Sequence, residues 1–163
     1  MDEERFWAIV DGVHAKSPDD MEAKSEALRD AVAKLAPKDA LAFRELFDAK
    51  MNQAYSWPLW GAAYVINGGC SDDTFMDFRS ALISRGRAAF EKALADPDSL
   101  ADEDLDEEKF FYEGYEYAVS EGVEKAVGRT VMKTSTPSEP SGEAWDEETV
   151  AEQYPRLRAK YGG

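Results

Sequence analysis

Hydrophobic residues recur every three or four positions along most of the chain, which is the spacing of amphipathic α-helices. A first short helix has its apolar positions between Phe6 and Val13. A second is capped by Ser17 and ends at Pro37. Few stretches alternate as strands do. The pattern therefore predicts an all-α protein, a single compact bundle of about six helices with a C-terminal tail packed back on the body.

Four more helices are predicted after Pro37. A third helix spans roughly residues 38–55, and a short buried helix follows over 57–66. The next is capped by Ser71 and runs without a break over 72–95. After an acidic stretch, a last long helix is expected from about Leu105 to Val127.

The composition changes after the last long helix and divides the chain into three parts. Residues 1–132 form the helical domain, and 133–144 are a Pro- and Ser-rich linker or surface loop. Residues 145–163 form a short helix and tail of the same domain. The apolar side chains expected to attach this tail to the body are those of Trp145, Val150, Tyr154 and Leu157.

The segment from Trp57 to Leu100 has the most distinctive sequence in the chain. Its motifs are Trp60-Gly-Ala-Ala-Tyr, Ile66-Asn-Gly-Gly-Cys-Ser-Asp-Asp, Phe78-Arg, Leu82-Ile-Ser-Arg-Gly-Arg and Asp96-Pro-Asp-Ser-Leu. Through these motifs the chain resembles DUF4240, a bacterial family described as a domain of unknown function. The two ends of the chain are similar to that family as well, so the resemblance covers most of the sequence. It implies no activity and no catalytic residues.

The charge balance excludes several function classes. Nineteen Lys and Arg stand against 34 Asp and Glu in 163 residues, a net charge of -15. Nucleic acids and anionic lipids are bound by a surplus of cations, so neither is an expected partner. The most apolar run, 57–66, is too short to cross a bilayer, and the acidic start lacks a signal peptide's basic region. We expect a cytoplasmic protein.

Two charged residues fall within the apolar stripe of the predicted helix 72–95. Asp72 and Arg79 would be expensive to bury there without partners, which favours a structural network or a wet cleft. Arg85 flanks the stripe, and Asn67 lies in the glycine loop before the helix. Aromatic residues on the preceding helix form core or line a pocket. The candidates for a ligand site or polar network are therefore Trp60, Tyr64, Asn67, Asp72, Arg79 and Arg85.

Two further sets of residues match a catalytic or metal-binding pattern only in part. One His and one Cys leave no zinc cluster or disulfide framework, and His14 with Cys70 would be the sole nucleophile–base pair. Acids over 96–107 match most ligand positions of a calcium loop, but Leu100 and Ala101 occupy positions that need a ligand and a glycine. We expect no catalytic residues, no metal and no cofactor.

Aromatic and acidic side chains share the outward face of the helix 105–127. Phe110 and Tyr117 lie two turns apart on this face, beside Glu113 and Glu121. Aromatic residues ringed by acids suit docking to a basic protein, unless the tail around Trp145 covers them.

These observations favour a non-enzymatic interaction or regulatory module, such as an immunity-type inhibitor or an adaptor. A protein partner is expected, and a basic one would suit the acidic surface. The alternative is a small-ligand protein or enzyme that uses a cleft around Asn67, Asp72, Arg79 and Arg85. Carboxylates and guanidinium groups alone can support acid–base chemistry.

Overall fold

The computed structural model describes residues 1–103 and 106–162, with the side chain of Glu107 left out. The described residues contain nine α-helices and no strands, which confirms the all-α prediction with more helices than the six expected. The α-helices are α1 (Glu3–Lys16), α2 (Met21–Ala33), α3 (Pro37–Gln53), α4 (Trp57–Asn67), α5 (Asp72–Ser84), α6 (Arg87–Ala95), α7 (Glu107–Phe110), α8 (Gly114–Val127) and α9 (Pro155–Tyr161). Two 3₁₀ helices, Pro97–Asp102 and Val150–Gln153, lie between them.

Short polar side chains fix where four of these helices begin. Asp2, Asp20, Ser56 and Ser71 each accept a hydrogen bond from the backbone N–H three residues later. This satisfies an N–H group that has no partner within the helix. The cap of α2 is therefore Asp20 rather than the predicted Ser17, which instead follows the end of α1.

The predicted continuous helix 72–95 is wrong, because Gly86 divides it into α5 and α6. Gly86 has φ +99°, a left-handed conformation that residues with a Cβ rarely adopt. The Asp11 carboxylate accepts a hydrogen bond from Arg87 N–H at 2.9 Å beside this turn. The same carboxylate is the close neighbour of the glycine, since a Cβ added to Gly86 would lie 2.6 Å from an Asp11 oxygen.

The predicted helix 105–127 is also two helices, α7 and α8. Its expected start at Leu105 lies outside the described residues. The break between α7 and α8 separates the buried Phe110 from the exposed face that carries Tyr117.

The core is formed where α8 crosses α2, α3 and α5. Tyr115 and Val119 of α8 are fully buried, and Phe43, Phe47 and Phe78 pack in the same cluster. Helices α2 and α8 approach each other closely at Gly122, where an added Cβ would lie 2.8 Å from the backbone oxygen of Arg29. This contact places the outer surfaces of α2 and α8 side by side.

The C-terminal tail packs back on the body, as predicted, with Val150, Tyr154 and Leu157 buried. Residues 131–149, which we call the strap, contain no helix and lead to it. Backbone hydrogen bonds join Ser141 of the strap to Tyr55 and Trp57. No described helix is both long and apolar enough to span a membrane.

Candidate functional site

Three adjoining hollows cover the surface formed by α2, α8 and the start of α7. The first is a groove of about 290 Å³ between α2 and α8, the second a hollow of about 100 Å³ between α5 and α8, and the third a hollow of about 460 Å³ beside α7. Tyr117 lines both the first and the second, and Tyr112 and Glu22 line both the first and the third. We call this continuous surface the acidic face.

Carboxylates dominate the acidic face. Among the described residues, ten carboxylates and three cationic side chains line its hollows. The carboxylates are those of Asp19, Asp20, Glu22, Glu26, Asp77, Asp106, Glu108, Glu113, Glu116 and Glu121, and the cations are Arg29, Lys109 and Lys133. The face therefore presents a strong negative potential to anything that approaches it.

The hollow between α5 and α8 contains the most perturbed carboxylate. Desolvation raises the pKa of Asp77 from 3.8 to about 6, and the neighbouring Glu113 and Glu116 add to the increase. Lys133 pairs with Glu116, whereas no cation among the described residues forms an ion pair with Asp77. A positive charge from outside would reduce the repulsion among the carboxylates in this hollow.

Tyr117 is the most exposed aromatic side chain described, at 57%. Its hydroxyl donates to Glu113 at 3.2 Å, and this carboxylate raises the pKa of Tyr117. Glu121, one turn further along α8, approaches Arg29 of α2 at 3.5 Å. Three of the four residues expected for partner docking thus lie together on an exposed surface.

The expected exposure of Phe110 is wrong. Phe110 is 3% exposed and packs against Phe78 and Tyr161. It lies on α7, whose orientation is separate from that of α8, so helical spacing no longer relates it to Tyr117. The tail around Trp145 does not cover Tyr117, since Trp145 packs instead on Trp57 and Tyr64.

Sequence reasoning missed the residues that other helices bring to the acidic face. Asp77 of α5 and Glu22, Ser25 and Glu26 of α2 lie far from Tyr117 in sequence. Glu116 is adjacent to Tyr117 on α8, and its helical position beside Glu113 was the one signal that could have identified it.

The polar network around Arg79 is buried within the fold. The guanidinium, 4% exposed, donates to the Met51 carbonyl at 2.9 Å and lies 4.5 Å from the centre of the Tyr55 ring. Asp72 is exposed rather than buried, and it accepts a hydrogen bond from the Tyr55 hydroxyl at 3.3 Å. Asp72 and Arg79 therefore meet through Tyr55, and the described ion pairs do not join them directly.

The remaining polar candidates have separate structural partners. Arg85 donates to the Pro18 carbonyl at 3.3 Å and forms an ion pair with Glu103 at 3.1 Å. The exposed Asn67 is the last residue of α4 and donates to the Gly69 carbonyl. These contacts distribute Asn67, Arg79 and Arg85 among different parts of the fold.

Trp60 and Tyr64 belong to an aromatic cluster at the junction with the strap. The Trp60 ring stacks on Phe75 at 5.2 Å between ring centres, and its indole N–H donates to the Cys70 carbonyl. Tyr64 lies 5.0 Å from Trp145. Both residues are half-buried by packing within the chain.

His14 and Cys70 have unrelated surroundings. His14 Nδ1 lies 2.9 Å from the Nζ of Lys24, a fully buried lysine whose pKa burial lowers to about 8. Burial raises the pKa of the Cys70 thiol to about 12, which disfavours a thiolate at neutral pH.

The described residues contain no group of three or more His, Cys, Asp or Glu arranged to hold a metal ion. Of the calcium-loop positions considered above, Asp104 and the side chain of Glu107 lie outside the described residues.

A family model described as "Protein of unknown function (DUF4240)" matches residues 1–125 of the 163-residue chain. No curated protein and no solved structure matches the chain.

Proposed function

We propose that this chain, which belongs to the DUF4240 family, is a non-enzymatic interaction module that docks a basic partner protein through its acidic face. The observation that supports this proposal is the excess of ten carboxylates over three cations on one continuous, hollowed surface. Such an excess is costly to a fold, because like charges repel.

A basic partner would remove that cost. Its cations would neutralise carboxylates that form no ion pair among the described residues, above all that of Asp77. The long-range field would also accelerate encounter, since complementary charges steer two proteins together.

The centre of the face has the composition of an interface. Exposed tyrosines are enriched at protein contacts because they supply a large contact area and a polar hydroxyl. Tyr117 stands between two hollows, so a partner that covers it would enter both.

The biological role that suits such a face is regulatory. We propose a cytoplasmic bacterial protein of the immunity or adaptor type, which acts by covering a basic surface of its partner. Nucleic acid is not a proposed ligand, because phosphate groups would be repelled by the same carboxylates.

The proposal is tested by capturing partners from the native cell with the whole chain. Retention of a basic partner should fall steeply between about 0.05 M and about 0.5 M salt, because screening weakens charge attraction. Glu113→Gln and Tyr117→Ala should each reduce retention. Glu147→Gln removes the same charge from an exposed position in the strap and serves as the matched control.

Salt-independent retention would count against the proposal. So would equal retention by the acidic-face variants and the control, because the partner would then be docked elsewhere.

A further inference from the structure

We infer that the groove between α2 and α8 is a receptor for an arginine side chain of the docking partner. This inference rests on the proposed function and specifies the chemistry that the acidic face recognises. It combines the shape of the groove, an unsatisfied hydroxyl at its floor, two aromatic walls and its charge.

The groove has the size and position for a single long side chain. Its volume of about 290 Å³ lies over the amino-terminal halves of α2 and α8. Gly114 gives room to the Tyr112 ring that lines the groove, and the small side chain of Ala118 lies beside it on α8, one turn before the contact of the two helices at Gly122. A space of this volume can hold one flexible side chain, whereas a helix or a loop of the partner is too large to enter it.

Ser25 supplies a buried acceptor at the floor. The residue lines the groove although it is only 6% exposed, and its hydroxyl has no hydrogen-bond partner among the described residues. A buried polar group without a partner is destabilising, so a donor that reaches this enclosed hydroxyl would stabilise the protein.

Tyr112 and Tyr117 line the groove with aromatic rings. A guanidinium group stacks on such rings through cation–π attraction. The hydrogen bond from the Tyr117 hydroxyl to Glu113 holds that ring by its far end. The Glu113 carboxylate that accepts this bond places negative charge next to the ring.

The charges of the groove select a cation. Glu22, Glu26 and Glu121 line it against one guanidinium, that of Arg29. Arg29 already approaches Glu121 at 3.5 Å and Asp30 at 3.8 Å, so its charge is shared. The carboxylates of Glu22 and Glu26, one turn apart on α2, form no ion pair among the described residues and are exposed to an incoming group.

Arginine fits these groups better than lysine does. Its planar fork has five donors, enough for two carboxylates and the Ser25 hydroxyl together, while its flat surface contacts an aromatic ring. An ammonium group is a compact point charge that cannot make both kinds of contact equally well.

The test uses the whole chain and three blocked tripeptides, Gly-Arg-Gly, Gly-Lys-Gly and Gly-citrulline-Gly. Citrulline has the shape of arginine without the charge. Titration with the arginine peptide should shift the protein's amide NMR signals until binding saturates, and the largest shifts should lie around Ser25 and Ala118. Binding should be about threefold weaker or more with lysine and undetectable with citrulline.

Two variants test the floor and the wall. Ser25→Ala removes the unsatisfied hydroxyl, so it should weaken arginine binding about threefold or more without lowering thermal stability. Tyr117→Ala should weaken it further, and Glu147→Gln should leave it unchanged. Shifts centred on another surface, or binding by Ser25→Ala and Tyr117→Ala as tight as that of the wild type, would overturn the inference.

The results separate this inference from the proposed function. If partner retention responds to Glu113→Gln and to salt while the arginine peptide does not enter the groove, the groove is not the receptor and the acidic face still docks the partner. If retention is independent of salt and of Glu113, the proposed function itself is wrong.

Discussion

Replacing Asp77 by Asn should stabilise the free protein at neutral pH, because its carboxylate is held in an unfavourable place. Desolvation and the neighbouring Glu113 and Glu116 raise the pKa of Asp77 from 3.8 to about 6. Asn has the same shape and no charge, so the substitution removes the repulsion and leaves the packing in place.

The magnitude follows from the shift in pKa. A shift of about two units corresponds to about 3 kcal/mol at 1.36 kcal/mol per unit. Asp77 is half-buried beside solvent, and screening reduces the figure to about 1 to 2 kcal/mol.

The raised pKa also determines the pH range in which the two proteins differ in stability. Below about pH 4 the carboxyl is protonated in both the folded and the unfolded states, so the two proteins should be equally stable. Above about pH 6 the wild type carries the charge in both states and only the folded state is penalised. The stability advantage of Asp77→Asn should therefore develop between these values and be complete at pH 7.5.

Urea denaturation followed by circular dichroism, at steps between pH 4 and pH 8, measures this difference. Glu147→Gln removes one charge from the exposed strap and corrects for the general effect of reducing the net charge of -15. A difference that does not change with pH, or a loss of stability at pH 7.5, would refute the reasoning.

Three further substitutions test other parts of the fold by the same denaturation assay. Lys24→Met should stabilise the protein by about 2 to 3 kcal/mol at pH 7, because burial lowers the pKa of Lys24 from 10.5 to about 8. The gain should vanish above pH 10.5, where the lysine is neutral in both states. Arg79→Ala should cost about 3 kcal/mol or more, since it leaves a cavity and an unpaired Met51 carbonyl. Gly122→Ala should cost about 1 to 3 kcal/mol, because its Cβ would meet the Arg29 backbone oxygen.

Each of these has an outcome that would contradict it. A pH-independent effect of Lys24→Met would mean that its charge is not the cause. A fully stable Arg79→Ala would show that the guanidinium is dispensable to the fold. Gly12→Ala is the control for Gly122→Ala: the glycine lies in α1 with open space around it, so alanine should stabilise by about 0.5 to 1 kcal/mol. Equal effects at the two glycines would contradict the proposed clash.

The helix starts that the sequence predicted well are those marked by a capping residue or a proline close by. Pro37 begins α3 and Ser71 caps α5, and both signals act within one turn. The break at Gly86 escaped prediction because the apolar spacing continues across it. The contact that occupies the turn comes from Asp11, far away in sequence.

The residues of the candidate site also divide into those that helical spacing predicts and those that only tertiary packing brings near. Glu113, Tyr117 and Glu121 share a face of one helix, so helical geometry alone places them together. Their partners Ser25 and Asp77 belong to other helices, and only the packing of α2, α5 and α8 brings them near. Phe110 was misplaced because a single helix was assumed across a bend.

The strap makes the covering of one aromatic surface a late step in the synthesis of the chain. Trp57, Trp60 and Tyr64 present an aromatic surface that Trp145 covers, yet some eighty residues separate Trp145 from that surface in sequence. Because a chain emerges from the ribosome with its amino-terminal part first, α4 remains uncovered until the strap has followed. In that interval the aromatic surface is open to chaperones or to other nascent chains, and the arrival of Trp145 closes it.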